Sequence, residues 1–325
     1  MKGKIDIRVY NKRASFSFTL ERNITIVRGD SGTGKTTLYD MVAEHSRLGN
    51  SSGVQMSAPC PCVALTDSDW KNQLNHTHSS VVFIDEGAEY IASKAFAVAI
   101  QGTDNYYVFF TREDLHELPY SVEEIYEIRT SGKYHAFQKV YKRRDGYVYS
   151  AVNGRRKVQG NVILTEDSHS GFQFYQDLYK DTGIRCESAG SNSGIFAWLQ
   201  THHQEGVFVI ADGAAFGSEI DRVMMLQKQY PSDITVCLPE SFEWLILRSG
   251  IVPIDGVQEM LNDPGRHIES AEYFSWERFF ASWLIGHSQG TYYAYSKSKL
   301  HSFYTVRDNA DRIVAVIAKN MPKSG

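Results

Sequence analysis

The stretch NITIVRGDSGTGKTT, residues 23–37, decides how the first part of this chain folds. Its opening residues are largely β-branched and apolar and predict a short buried strand, while the residues from Gly34 onward predict a helix. Between them, Gly29 to Thr36 match the spacing G-x-x-x-x-G-K-[ST] at every fixed position. A glycine-rich turn between a strand and a helix directs backbone N–H groups and the positive helix end at one point. The stretch therefore predicts a loop that binds phosphate groups.

The predicted nucleotide-binding residues are those of this loop and the residue that follows it. Lys35 is expected to contact the β- and γ-phosphates of ATP and to act in catalysis, and the Thr36 hydroxyl is expected to bind Mg²⁺. The full predicted set is Gly29, Asp30, Ser31, Gly32, Thr33, Gly34, Lys35, Thr36 and Thr37.

A second predicted strand, VVFI at residues 81–84, is followed directly by two acids. We expect Asp85 to hold Mg²⁺ and Glu86 to orient or deprotonate the attacking water. Kinases with the same fold often lack the second of these acids, so the pair favours hydrolysis over transfer of the phosphate to an acceptor. A third apolar run, residues 106–110, ends in Thr111 and Arg112. Arg112 has two interpretations, a sensor of the γ-phosphate or a surface charge.

These residues resemble the P-loop NTPases, on the eight residues of the loop and on Asp85 and Glu86. The resemblance covers about residues 1–130 and implies an ATPase that uses ATP and Mg²⁺. The gap from Thr36 to Asp85 is short for an ABC-type cassette and contains no Leu-Ser-Gly-Gly signature. A minimal RecA- or AAA-like unit therefore fits better.

Composition bounds the remaining possibilities. A chain of 325 residues that is 42% hydrophobic and 22% charged is typical of an ordered protein of about two domains, and excludes disordered and fibrous classes. No apolar run is long enough to cross a membrane. The four cysteines show no disulfide-framework spacing, so we expect a cytoplasmic protein without a membrane partner.

The chain is predicted to be α/β throughout, with a P-loop NTPase domain at residues 1–155 and a second domain at residues 160–325. Residues 153–160 are polar and basic and mark the expected boundary. After them, four strand-and-helix units follow within residues 162–248, which predicts a compact and largely parallel sheet. Residues 252–325 are predicted to be mostly helical.

Acids follow the predicted strands of this second series. Glu166 follows VILT, Asp212 follows VFVIA, and Glu243, or less strongly Glu240, lies after the fourth strand. Because the carboxyl ends of parallel strands share one edge of a sheet, we expect these acids to meet and to bind Mg²⁺.

The pattern resembles the Toprim domain of topoisomerases, primases and the overcoming-lysogenization-defect nucleases, over about residues 161–250. The resemblance implies metal ligation by Glu166, Asp212 and Glu243, with Asp212 as a catalytic residue of a nuclease. The second acid of the family's Asp-x-Asp is missing, since Ala214 stands there. Asp167 and Asp221 are candidate substitutes. The other interpretation is an α/β domain whose strands end in solvated acids.

Together the two resemblances predict ATP binding and hydrolysis that gates a nucleic-acid-processing domain, as in phage-defence or mobile-element nucleases. The alternative is a regulatory switch whose second half is catalytically inactive and binds a protein partner. Residues 1–160 hold 21 Lys and Arg against 18 Asp and Glu, whereas residues 161–325 hold 13 against 20. Expected partners are thus a nucleotide, DNA or RNA, a protein, or a second copy of the chain. A basic, tyrosine-rich stretch at residues 139–157 fits either a nucleic-acid backbone or a charged linker and sheet edge.

Overall fold

The computed structural model describes residues 1–30, 32–66, 69–143, 147–150 and 161–317. The chain divides into two compact units, the first from residues 1–140 and 263–274 and the second from residues 141–262 and 275 onward. Both are α/β, which confirms the predicted fold class. The predicted boundary at residues 153–160 lies outside the described residues.

Residues 263–274, which the sequence analysis assigned to the second domain, lie with the first unit. The backbone of Gly3 donates to Gly265 at 2.8 Å, and that of Ser270 donates to Met1 at 2.9 Å. The Asn23 side chain donates to the carbonyl of Phe274 at 3.2 Å. These bonds tie a distant part of the chain to its beginning, which local sequence patterns do not reveal.

The described part of the first unit contains one sheet of nine strands. In chain order the strands are β1 (Ile5–Tyr10), β2 (Ser15–Leu20), β3 (Ile24–Arg28), β4 (Gln55–Ser57), β5 (Cys62–Leu65), β6 (Val81–Ile84), β7 (Tyr106–Phe110), β8 (Ile125–Ser131) and β9 (Tyr134–Lys139). The helices described are α1 (Lys35–Leu48), α2 (Trp70–Asn75) and α3 (Lys94–Ile100). Spatially the strand order is β4-β1-β2-β9-β8-β3-β7-β6-β5.

Five of these strands, β8-β3-β7-β6-β5, run parallel to one another. β3, β6 and β7 are buried along their whole length. Strands covered on both faces are mostly apolar, as these are, although β3 also buries Thr25 and Arg28. Among these five strands, the one that follows β3 in the chain is β5, on one side of β3, whereas β8, which follows β7, lies on the other side of β3. Open parallel sheets bind ligands at such a reversal, outside the carboxyl ends of the strands. The loop after β3 lies at this position.

The second unit also contains a sheet with parallel strands, but a smaller one. Its described strands are β10 (Val148–Tyr149), β11 (Val162–Thr165), β12 (Arg185–Ser188), β13 (Val207–Ile210) and β14 (Ile234–Cys237), in the order β10-β14-β13-β11-β12. Its described helices are α4 (Ser170–Tyr179), α5 (Asn192–His202), α6 (Ile220–Gln229), α7 (Phe242–Ser249), α8 (Val257–Asn262), α9 (Trp276–Ser288) and α10 (Arg307–Ala315).

The four strands β11 to β14 are parallel, which confirms the predicted strand-and-helix series, and β10 adds one antiparallel edge. The chain leaves β11 toward β12 on one side and β13 toward β14 on the other. The reversal therefore falls between β11 and β13, whose ends carry Glu166 and Asp212. Residues 289–301, between α9 and α10, are neither helix nor strand, so the predicted mostly helical end is interrupted there.

Candidate functional site

The loop after β3 has the backbone shape that its glycines allow. Gly34, at the start of α1, has φ of 101°, a left-handed conformation that strains other residues. A Cβ there would lie 3.5 Å from the ring of Phe16 and 3.6 Å from that of His135, which is ordinary van der Waals contact. The left-handed backbone, rather than a lack of space, therefore favours glycine at the start of α1.

Lys35 is the first residue of α1 and is buried, with 4% of its side chain exposed. Its ammonium donates to the carbonyl of Gly29 and, at 3.2 Å, to that of Asp30. The same ammonium lies 3.5 Å from Oε2 of Glu86. The loop thus folds around its own lysine, whose charge faces the acid after β6.

Glu86 lies between two cations. Its Oε1 is 2.6 Å from Nε of Arg112, the residue that follows β7 by two positions. The carboxylate thus bridges the lysine of the loop and the arginine of the neighbouring strand end. This arrangement brings together Lys35, Glu86 and Arg112, which the sequence analysis took from three separate segments.

The residues predicted to hold Mg²⁺ here are Thr36 and Asp85. Thr36 is exposed on the first turn of α1, and Asp85 is partly buried directly after β6. Asp40, one helical turn beyond Thr36, has its pKa raised by burial and by the negative charges of Asp85 and Glu44. Hydroxyl and carboxylate oxygens suit a hard cation, so this donor set fits Mg²⁺. Asp40 was missed by the sequence analysis, although its i+4 spacing from Thr36 was a usable signal.

The remaining loop residues have local roles. Thr33 donates its hydroxyl to the carbonyl of Asp30 at 3.0 Å, which braces the turn. Thr37 is exposed on α1, and Gly29 and Gly32 have positive φ. Ser31 lies outside the described residues.

In the second unit, Glu166 and Asp212 meet at the ends of β11 and β13. The backbone N–H of Asp212 donates to Oε2 of Glu166 at 3.1 Å. Oδ1 of Asp212 in turn accepts the N–H of Phe242, at the start of α7, at 3.2 Å. Asp212 therefore also satisfies an open N–H of that helix, where negative charge is favourable.

Glu243 reaches the same place from the first turn of α7. Ser241 caps this helix, accepting the N–H of Trp244 at 3.1 Å. Glu243 is 1% exposed, and its Oε1 accepts the hydroxyl of Tyr295 at 2.7 Å. No hydrogen-bond donor from the described part of the chain reaches its Oε2. A buried carboxylate oxygen with no donor is costly and calls for a nearby positive charge.

Lys297, which the sequence analysis missed, brings a positive charge to the same cleft. Together with Glu166, Asp212 and Glu243 it lines one cleft, named the acidic cleft below. Its ammonium lies 2.5 Å from Oε1 of Glu277, on the first turn of α9. Burial disfavours the charge on Lys297, but Glu277, Asp212 and Glu243 outweigh it and raise its pKa. No local pattern in residues 289–301 signals this role.

The acids in and beside the cleft raise one another's pKa values. Burial raises the pKa of Glu166, and the charge of Glu277 raises it further. Burial likewise raises the pKa of Asp212, followed by the charges of Glu166, Glu277 and Glu243. Carboxyl groups so close together resist simultaneous ionisation.

The other acids proposed for this site have different partners. Glu240 pairs with Arg143 at 3.0 Å, and Asp221 accepts the hydroxyl of Tyr141. Asp167 accepts the N–H of His169 at 3.0 Å and also lines the acidic cleft. Among the described residues, no three His, Cys, Asp or Glu side chains are grouped so that they could hold a metal ion. The acidic cleft, with a lysine among its acids, does not fit the two-metal arrangement that the Toprim resemblance implies.

Two cations of the basic stretch form ion pairs in the described part of the chain. Lys139 pairs with Glu123 at 3.0 Å, and Arg143 pairs with Glu240. Arg144 and residues 151–160 lie outside the described residues. The described pairs favour the interpretation as a charged edge over that of a nucleic-acid surface.

Comparisons with known proteins identified no similar family or sequence. No family model matches this chain, and a search of curated proteins finds no similar sequence. In the part of the chain that the structure describes, every helix is too short or too polar to cross a membrane.

Proposed function

We propose that the first unit binds and hydrolyses a nucleoside triphosphate, ATP by the resemblance of its loop, with Mg²⁺. The observation that carries this proposal is the convergence of Lys35, Glu86 and Arg112 where the parallel sheet reverses its connections. A buried lysine on a glycine-rich turn supplies a fixed positive charge for phosphate oxygens.

The residues of the site have separate roles in this proposal. The loop N–H groups and the start of α1 bind the phosphates, and Lys35 exchanges Glu86 for a phosphate oxygen. Glu86, released from Lys35, orients or deprotonates the attacking water. Arg112 stabilises charge that develops on the γ-phosphate. Thr36 and Asp85 would hold Mg²⁺, which supplies neutralisation of phosphate charge.

The second unit has two candidate roles. In one, ATP hydrolysis gates a metal-dependent nuclease; in the other, it drives a switch whose second unit binds a protein partner. The lysine in the acidic cleft favours the switch, because its ammonium group brings a positive charge to the cleft in which the nuclease would need a divalent cation. Cleavage of DNA or RNA with Mg²⁺ that Asp212→Ala abolishes would instead support the nuclease.

The test of the first proposal is nucleotide turnover by the full chain. Lys35→Ala should lower ATP hydrolysis by about 100-fold or more, since one fixed charge on the phosphates is lost. Lys94→Ala, an exposed lysine of the same unit, is the matched control and should leave the rate unchanged. Equal rates in wild type and Lys35→Ala would overturn the proposal. ADP formation that strictly requires an added acceptor would identify a kinase instead.

A further inference from the structure

The acidic cleft contains carboxylates from different elements and one internal cation. Glu166 and Asp212 come from the ends of β11 and β13, and Glu243 from α7. Glu277, on α9, pairs with Lys297 at 2.5 Å. A partly buried charge of this kind is favoured when it is paired with an opposite charge.

Lys297 is held in place by its own segment. The carbonyl of Lys297 accepts the N–H of Ser170 at 2.9 Å, at the start of α4. The Gln173 amide then brackets the chain, donating to the carbonyl of Ser298 and accepting the N–H of Leu300, both at 2.9 Å. The ammonium therefore belongs to a segment that α4 fixes in place, rather than to a freely moving surface chain.

The same segment supplies a second group to the acids. The Tyr295 hydroxyl donates to Glu243 and also contacts the hydroxyl of Ser170. The backbone N–H of Tyr295 donates to Oγ of Ser288 at 2.9 Å. Residues 295–300 thus deliver one hydroxyl and one ammonium to the cleft, which are the kinds of group that satisfy carboxylates without a metal.

The position of the missing second Asp supports the same conclusion. Ala214 is 2% exposed, and its N–H donates to the carbonyl of Glu240 at 3.2 Å. The preceding Gly213 packs against backbone, where a Cβ would lie 2.8 Å from the carbonyl oxygen of Leu238. An acid at residue 214 would be buried in the protein rather than open to the cleft.

We infer that Lys297 is a built-in cation of the second unit that takes the place of a divalent metal, so that the acidic cleft binds no Mg²⁺ or Mn²⁺ in the native chain. The inference is independent of the ATPase proposal, since it concerns the other unit. It explains how carboxylates can remain clustered at one sheet edge without a metal.

The test is calorimetric titration of the full chain with MnCl₂ in the absence of nucleotide. Lys297→Met keeps the length of the side chain and removes its charge, and should tighten Mn²⁺ binding by about tenfold or more. Asp212→Asn in that background should remove the gained binding. Lys299→Met, an exposed lysine on the same segment, is the control and should behave as wild type.

Two results would overturn the inference. One is Mn²⁺ binding by the wild-type chain that Asp212→Asn abolishes, because the lysine would then not exclude the metal. The other is a Lys297→Met protein that melts cooperatively like wild type and yet gains no binding. The wild-type titration needs no change at Lys297, so it decides the question even where that variant fails to fold.

Discussion

The loop after β3 and the acidic cleft occupy equivalent positions in two unrelated sheets, yet their electrostatic characters are opposite. In the first unit a buried lysine lies beside a partly exposed acid, which also pairs with a partly exposed arginine. In the second unit the buried Glu243 and two partly exposed acids line a cleft together with a lysine supplied by the chain itself. A reversal of connections in a parallel sheet creates a crevice, but the residues that follow the strands decide whether it receives an anion or is already neutralised.

The largest expected effect concerns Glu86, the acid that faces Lys35 in the first unit. Glu86→Gln should lower kcat for ATP hydrolysis by about 100-fold while nucleotide binding is kept, because the amide cannot accept a proton from water. Steady-state turnover and binding of a fluorescent ATP analogue measure the two quantities. Glu89→Gln, an exposed acid nearby, is the control. Loss of binding together with turnover would show that Glu86 acts structurally.

A second prediction concerns Glu124, a buried acid of the first unit that lies away from the phosphate-binding loop. Glu124 in the first unit is fully buried, with Arg22 Nε at 3.7 Å and the Thr25 hydroxyl at 3.3 Å. Burial raises its pKa to about 7, against the opposing charges of Arg22 and Lys139. Protons bound more tightly in the folded state stabilise it at low pH. That stability is complete below the usual glutamate pKa and is lost as the pH rises through 7.

Glu124→Gln should therefore flatten the pH dependence of unfolding between pH 5 and 8 by on the order of 2 kcal/mol. Thermal melts of wild type and variant across that range measure the difference in slope. A wild-type Tm that rises with pH relative to that of the variant would contradict the sign.

The smallest expected effect comes from two glycines, Gly87 directly after Glu86 and Gly213 directly after Asp212. A Cβ at Gly213 would lie 2.8 Å and 2.9 Å from the carbonyl oxygens of Leu238 and Pro239, whereas one at Gly87 would meet nothing within 4 Å. Gly213→Ala should destabilise the protein by about 1 to 2 kcal/mol, since backbone must move. Gly87→Ala should change stability by less than about 0.5 kcal/mol. Denaturant melts of both variants test this, and equal stabilities would mean that the backbone around Gly213 yields.

The sequence predicted those features that are local. Apolar runs followed by acids correctly located the strand ends before Glu86 and Asp212, because buried parallel strands need unbroken apolar side chains. The glycine spacing correctly located the turn into α1. These features depend on neighbours in the chain, so one sequence suffices to find them.

What the sequence did not predict depends on tertiary contact. Lys297 enters the cleft only because Gln173 and the start of α4 hold its segment there. Residues 263–274 join the first unit through backbone bonds that side-chain patterns do not encode. The sequence therefore predicted the acids of the acidic cleft but not Lys297, the cation that lines it with them.

The most direct test of the contrast between the units is the amount of Mn²⁺ bound by the full chain, measured by electron paramagnetic resonance with and without ATP. The account predicts about one Mn²⁺ per chain with ATP and close to none without it. Lys35→Ala should abolish the ATP-dependent binding. Mn²⁺ bound without nucleotide and lost in Asp212→Asn, or binding that ATP does not change, would contradict the account.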